Sequence, residues 1–283
     1  MKTGLVLEGG ALRAVFSSGV CDALMEADVM TDYLIGVSAG IAYGVSYASR
    51  QPGRNLQVAT TYAPDPRYMG WRNLLNRENR SYFGLKFAYE TIPNELVPFD
   101  YDAFEAFEGQ VETVVTNMNT GKAEYLAVPR RDKKGTVIQA SCALPILFPS
   151  YEINGQPCMD GGIVDSFPWK RAMEQGCERV IVVMTRPRDY IRGQEKTMPL
   201  IRRRYRKYPN FVDAMQRRAD RYNEARAQVF EEEKKGNLLV ILPDTTYGVS
   251  RTERDTEKLR LLWAEGHRQA TQRMDEIRRY LGK

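Results

Sequence analysis

Residues 32–40 read DYLIGVSAG, an apolar run that ends in Gly36, Val37, Ser38, Ala39 and Gly40. Its length and composition predict a strand from Asp32 to Val37, and the spacing that follows predicts a helix over 39–50. The chain must therefore reverse within a few residues. Glycines two positions either side of a serine permit that reversal and leave the serine Oγ exposed at the tip of the bend. G-x-S-x-G in this setting is the nucleophile turn of a serine hydrolase, and as a bare pentapeptide it is a weak signal. The surrounding chain carries the argument.

The same alternation of strand and helix extends on both sides. Thr3 to Leu7 predicts a first strand and 12–27 a helix, with Glu8, Gly9, Gly10, Ala11, Leu12 and Arg13 at the junction. Strand signals return at 111–117 and 123–128, joined by an Asn119, Thr120, Gly121 turn. They recur at 179–184 and 237–242, while 151–160 reads as a hairpin turning at Asn154 and Gly155, and 135–144 as a helix ended by Pro145. Such alternation predicts an α/β fold, a three-layer α/β/α sandwich around a mainly parallel central sheet. Between 64 and 108 the character changes, with ten aromatics from Tyr68 to Phe107. This insertion reads as a lid or a set of cap helices. The stretches 195–208, 210–235 and 252–281 are expected to be helical, making 186–283 a basic helical part of a single 283-residue domain.

Composition narrows the function classes. Apolar residues are 43% and charged residues 27%, ordinary values for a globular protein. No apolar run approaches the roughly 20 residues that span a bilayer. The start, MKTGLVLEGG, meets Glu8 and paired glycines too early for a signal-peptide core, and Cys21, Cys142, Cys158 and Cys177 show no C-x-x-C spacing. The expectation is a cytoplasmic protein with reduced thiols. With one histidine in the chain no zinc set can be assembled, so neither metal nor cofactor is expected. The net charge of +5 is uneven: from 186 to 221 there are twelve Lys and Arg against four acids. That stretch reads either as a solvated helical face or as a peripheral contact with an anionic membrane surface. No nucleic-acid-binding motif accompanies it.

Three short segments carry candidate chemistry. In the first, Glu8 to Arg13, glycines let the backbone pass close to a bound oxygen, and unpaired N–H groups of the coming helix point at it. This describes an oxyanion hole or a phosphate cradle, without the spacing of a dinucleotide or P-loop site. The second is Ser38, whose hydroxyl needs a base within hydrogen-bond reach. His267 shares an apolar helical stripe with Trp263, Ala270, Met274 and Ile277, which reads as a packed residue. The third is Asp160, Gly161, Gly162, a carboxylate on a tight turn that suits direct action on Ser38, although plain Asp-Gly turns are common.

Taken in order, GGALR after the first strand, G-x-S-x-G, and DGG following ALPILFP resemble the patatin-like phospholipase family over residues 3–185. The resemblance implies a calcium-independent serine acyl hydrolase of lipid or related apolar esters, working through a Ser-Asp dyad without histidine. By motif, the nucleophile is Ser38 and the base Asp160. Gly9, Gly10 and Ala11 supply the oxyanion amides, with Arg13, Gly36, Gly40, Gly161 and Gly162 in support. Ser141, Pro145 and Phe148 fall in a stretch that shapes the pocket floor. Ala11 and Ala14 stand where the family usually has glycine, and an alanine at 11 is expected to keep its donor only at negative φ. Two other readings stay open: a Ser-Asp-His triad with Asp160 or Asp244 and His267, and a non-catalytic lipid- or membrane-binding protein on the same scaffold. Oligomeric state is not legible.

Overall fold

The strand Thr3–Leu7 (β1) is buried along its whole length, and its side chains divide between two cores. Leu5 and Leu7 join one core with the helices Val15–Glu26 (α1) and Ala39–Ala48 (α2) and with Leu259 and Leu262 of the helix Thr256–Gln272. Val6 faces the other way, into a core with Trp169, Ala172, Tyr222 and Val229. Alternate residues of a strand point to opposite faces, so helices cover the sheet on both sides. The computed structural model describes residues 1–283 as this three-layer α/β/α arrangement.

The remaining strands are Tyr33–Val37 (β2), Gln110–Asn117 (β3), Ala123–Ala127 (β4), Tyr151–Ile153 (β5), Gln156–Asp160 (β6), Arg179–Val183 (β7) and Leu238–Ile241 (β8). They form one sheet in the order β5-β6-β3-β2-β1-β7-β8, with β4 paired to β3. The pairs from β3 through β2, β1 and β7 to β8 are parallel, and the β3-β4, β3-β6 and β5-β6 pairs are antiparallel. β3 has three partners, so two of them share an edge. Val115 pairs with Glu124 of β4 and with Asp160 of β6, which puts those two on opposite edges. β6 therefore continues the edge that β2 occupies, with Val37 opposite Val114 and Asp160 opposite Val115. The ends of β2 and β6 meet head to head.

Several helices differ from the sequence expectation. The stretch 210–235 is broken at Arg217 into Pro209–Gln216 and Arg218–Lys234, and 252–281 is broken at Arg273 into Thr256–Gln272 and Met274–Leu281. At the second break Arg273 Nη1 donates to Val240 O at 2.7 Å, tying it to β8. The expected helix at 195–208 shrinks to Met198–Arg204. Helices Arg54–Tyr62 and Trp169–Glu174 were not foreseen, because the first buries only Asn55 and Ala59 and the second has six residues, too few for a readable period. In the aromatic insertion lie Trp71–Leu75, Phe87–Leu96 and Tyr101–Ala106. The middle one contains Pro93 and ends in a wide turn, with the Val97 amide donating to Ile92 O at 2.8 Å.

Candidate active site

Ser38 sits between β2 and α2 at φ 55° and ψ −129°, a left-handed conformation that costs a non-glycine residue about 1–3 kcal/mol. Its neighbours make the bend possible. A Cβ on Gly36 would lie 2.4 Å from Ile41 N, and one on Gly40 would lie 2.4 Å from Leu7 O. Ser38 N–H donates to Ser141 Oγ at 2.9 Å; Ser141 Oγ is 2.8 Å from Thr113 Oγ1, which is 2.7 Å from Gly36 O. Each hydroxyl has one hydrogen, so Thr113 donates to Gly36 and Ser141 donates to Thr113. The chain of bonds fastens both sides of the bend to β3. Ser141 thus braces the turn, a role its place in a floor-forming stretch did not suggest, and Thr113 was not singled out at all.

Asp160 closes β6 and caps the short turn Gly161–Ile163, where its Oδ1 accepts from Gly162 N at 2.7 Å. A side chain on Gly161 would strike Val114 O at 2.3 Å, so only glycine lets the turn lie against β3 at the point where β2 ends. The carboxyl is 2% exposed and its Oδ2 has no hydrogen bond of normal length. Burial raises its pKa above the ordinary aspartate value; the charge of Arg218, the nearby Ser38 hydroxyl and the Gly162 amide pull in the other direction. Ser38 and Asp160 line the same cleft, and no hydrogen bond of ordinary length joins them.

Gly9, Gly10 and Ala11 follow β1 and line one cleft with Ser38, Gly9 so close that a Cβ there would lie 2.8 Å from Ser38 Cβ, and none of their amides donates to a protein acceptor. Ala11 takes φ 49°, not the negative φ on which keeping its donor is expected to depend, yet its amide makes no hydrogen bond within the protein and stays free to donate. The turn geometry demands the left-handed region whatever the side chain, and alanine adopts it at a cost of about 1–2 kcal/mol. Glu8 holds the loop from beneath: Oε2 accepts from Thr185 N at 2.6 Å and Oε1 from the Tyr222 hydroxyl at 2.8 Å. Arg13 is buried beside the loop, and its pKa falls to about 10 through burial, then through Arg186 and Arg251.

The cleft holds about 470 Å³ and is polar. Five arginines line it, Arg13, Arg186, Arg192, Arg218 and Arg251, together with Ser38 and Asp160. Three of these come from the basic stretch 186–221, so that stretch is neither wholly a solvated face nor wholly a surface patch. Arg202, Arg203, Arg204, Arg206 and Lys207 remain exposed. On the other side of Ser38 lies an apolar space of about 510 Å³ lined by Leu12, Phe83, Cys142 and Phe148 among others. It shares Ala42, Tyr43, Tyr68, Ala88 and Tyr89 with a larger apolar chamber of about 900 Å³ walled by Ile92, Phe99 and Phe104. Aromatics of the 64–108 insertion therefore wall the chamber. Ser38, Ala11 and Leu144 line both the polar cleft and the apolar space, so the hydroxyl stands at their boundary. Cys142 lies beside it as a neutral thiol, its pKa pushed up to about 12 by burial.

The structure does not bring His267 to Ser38. Its Nε2 lies 2.8 Å from Glu26 Oε2 and its ring stacks on Trp263 at 5.0 Å, against α1. Asp244, the other acid considered, is 77% exposed and 3.6 Å from Arg268. Pro145 lines none of the three cavities, whereas Phe148 lines the apolar one.

A family model described as patatin-like phospholipase matches residues 5–173, more than half of the chain, and a second, described as a domain of unknown function, matches 208–282. The uncharacterized protein YjjU of Escherichia coli is 28% identical over 206 residues, 66% of this chain and 52% of that protein. Lysophospholipase NTE1 of Saccharomyces cerevisiae is 28% identical over 187 residues, 64% of this chain and 10% of that protein. The chain thus spans about half of one relative and a tenth of the other. A crystal structure of VipD from Legionella pneumophila aligns with a TM-score of 0.47 at 16% identity, over 97% of this chain and 67% of that one.

Proposed function

We propose that this chain, which belongs to the patatin-like phospholipase family, is a serine acyl hydrolase that cleaves lipid carboxylic esters through Ser38 and Asp160. One observation carries the reading: the register of β3 sets the end of the serine strand against the end of the aspartate strand, Val37 at Val114 and Asp160 at Val115. Asp160 takes the Ser38 proton as Oγ attacks the ester carbonyl, and the free amides of Gly9, Gly10 and Ala11 hold the developing oxyanion. The proton then passes to the departing alcohol. A water, deprotonated by Asp160, releases the acid from the acyl-enzyme. Raising the aspartate pKa by burial makes it a stronger base toward a hydroxyl. The acyl chain enters the apolar space beside Ser38 and extends toward the larger chamber. The strands, the basic helices and the insertion act in this reading as one domain, with exposed Arg202 to Arg204, Arg206 and Lys207 available to an anionic membrane surface. No helix is long and apolar enough to cross a membrane.

Ser38→Ala and Asp160→Asn are each expected to lower hydrolysis of a p-nitrophenyl ester by about 10³-fold or more while folding normally. Parent-like turnover in either variant overturns the dyad. Asp160→Asn should also be more stable than the parent at neutral pH. A carboxyl whose folded pKa is raised binds its proton more tightly in the fold, so it lowers stability once pH climbs above the unfolded value of about 4. The difference in Tm should vanish as pH falls below that value.

A further inference from the structure

The C-terminal stretch 208–282, matched as a domain of unknown function, reaches three parts of the site. From its helix Arg218–Lys234 the Tyr222 hydroxyl donates to Glu8 Oε1 at 2.8 Å, immediately before the oxyanion loop. From the same helix Arg218 Nε donates to Gly162 O at 3.2 Å and Arg221 Nη1 to Ile163 O at 3.3 Å, both in the turn that Asp160 caps. Further on, Arg254 Nη2 donates to Met69 O at 2.7 Å, in the insertion that walls the chamber. The helix Thr256–Gln272 packs on α1 so closely that a Cβ on Gly19 would lie 2.1 Å from Trp263 O, and one on Gly266 would lie 2.1 Å from Phe16 O. Since α1 continues the oxyanion loop through the short turn Ala11–Ala14, this contact fixes the far side of the loop. Glu8 is 2% exposed, and although five arginines line the same cleft it is hydrogen-bonded to none of them. Its Oε2 takes the Thr185 amide and its Oε1 the Tyr222 hydroxyl, and Thr185 Oγ1 donates to Gly9 O at 3.1 Å. A buried carboxylate with fixed donors has one position, and the Gly9 amide follows it in the chain.

We propose that the stretch 208–282 is a clamp that sets the geometry of the reaction centre, with Tyr222 as the positioning residue of the oxyanion loop, acting through Glu8. The inference rests on the Ser38 reading for what the loop does. Tyr222 is not among the residues that line the cleft. Its hydroxyl holds Glu8, Glu8 holds the entry to Gly9, and the amides of Gly9, Gly10 and Ala11 stand ready for an oxygen that becomes negative only during reaction. Removing that hydroxyl therefore weakens transition-state stabilisation and leaves the binding of the acyl chain alone.

The test is Tyr222→Phe, which keeps the ring against Phe167, Tyr190 and Arg192 and removes only the donor. On p-nitrophenyl decanoate its kcat should fall about 10- to 100-fold, with KM within about twofold of the parent's. Decylboronic acid, whose adduct on Ser38 places an oxygen in the oxyanion hole, should lose affinity by about the same factor, and decanol, which forms no adduct, by under about twofold. Tyr280 of the same stretch serves as the control, since its hydroxyl donates to Asn237 O at 2.7 Å and accepts from Val180 N at 3.1 Å, at the opposite end of β7. Tyr280→Phe should lower Tm and leave kcat within about twofold. In a Glu8→Ala background Tyr222→Phe should cost under about twofold more, because the hydroxyl acts through that carboxylate. An unchanged kcat in Tyr222→Phe, a loss carried by KM, an unmoved affinity for the boronic acid, or an equal loss of kcat in Tyr280→Phe overturns the proposal. Failure of the Ser38 reading would look different: Ser38→Ala would keep its turnover and its affinity for the boronic acid, whatever Tyr222→Phe does.

Discussion

The two spaces that meet at Ser38 are built in opposite ways. The apolar chamber draws on the stretch 42–138 alone, with Tyr68, Ala88, Tyr89, Ile92, Phe99 and Phe104 from the 64–108 insertion and the rest of its lining from 42–58 and 128–138. The arginine cleft gathers residues from the whole chain, from Arg13 to Arg251. In the proposed reading the first holds an acyl chain without direction, by removing apolar surface from water, whereas the second presents oriented guanidinium donors. A substitution in the chamber should therefore act in proportion to the chain length of the substrate. One in the cleft should act on charge and pH.

The sharpest separation comes from Ala42, which lines both apolar spaces and not the cleft. Ala42→Phe that removes room for two methylenes should cost about 1.6 kcal/mol, roughly 15-fold, in kcat/KM for a decanoyl relative to a butanoyl p-nitrophenyl ester. An equal effect on both esters would break the assignment of the chamber to the acyl chain.

Next in size is the pH dependence on the polar side. Asp160 must be ionised to act as a base, so kcat/KM should fall as pH drops through its raised pKa. Arg218 favours the ionised form, and Arg218→Gln should move this acid limb upward by under about one pH unit, while Arg218→Lys should leave it close to the parent's. A limb that moves down, or at a pH typical of a solvated aspartate in the parent, would contradict the burial argument. The smallest effect is expected outside both spaces. His267→Ala should change turnover less than twofold and lower stability by about 1 kcal/mol, through the loss of its contacts with Trp263 and Glu26.

The same contrast explains what could be read from the sequence. The Ser38 bend and the Asp160 turn are demanded by local backbone chemistry, since Gly36, Gly40 and Gly161 leave no space for a Cβ. Three or four adjacent letters suffice to state such a demand. The strands were legible for a related reason, because their burial on both faces leaves uninterrupted apolar runs such as residues 180–183. The brace of Thr113 and Ser141 was not legible, as neither residue signals anything until β3 lies beside the bend. The arginine cleft was misread in part for the same reason. Arg186, Arg192 and Arg218 look like their exposed neighbours in a basic stretch, and only the return of the helix Arg218–Lys234 over the sheet turns them inward. Ala11 shows the converse, an alanine standing where the resemblance implies glycine, which the loop nevertheless places at φ 49°.

The central claim, a serine activated by one aspartate at the junction of the two spaces, is tested most directly by covalent labelling. A fluorophosphonate carrying a decyl chain should modify the protein at one residue, Ser38, as located by peptide mass spectrometry, and label Asp160→Asn at least 10²-fold more slowly. An adduct on any other residue, or labelling of Asp160→Asn at the parent rate, would contradict the account.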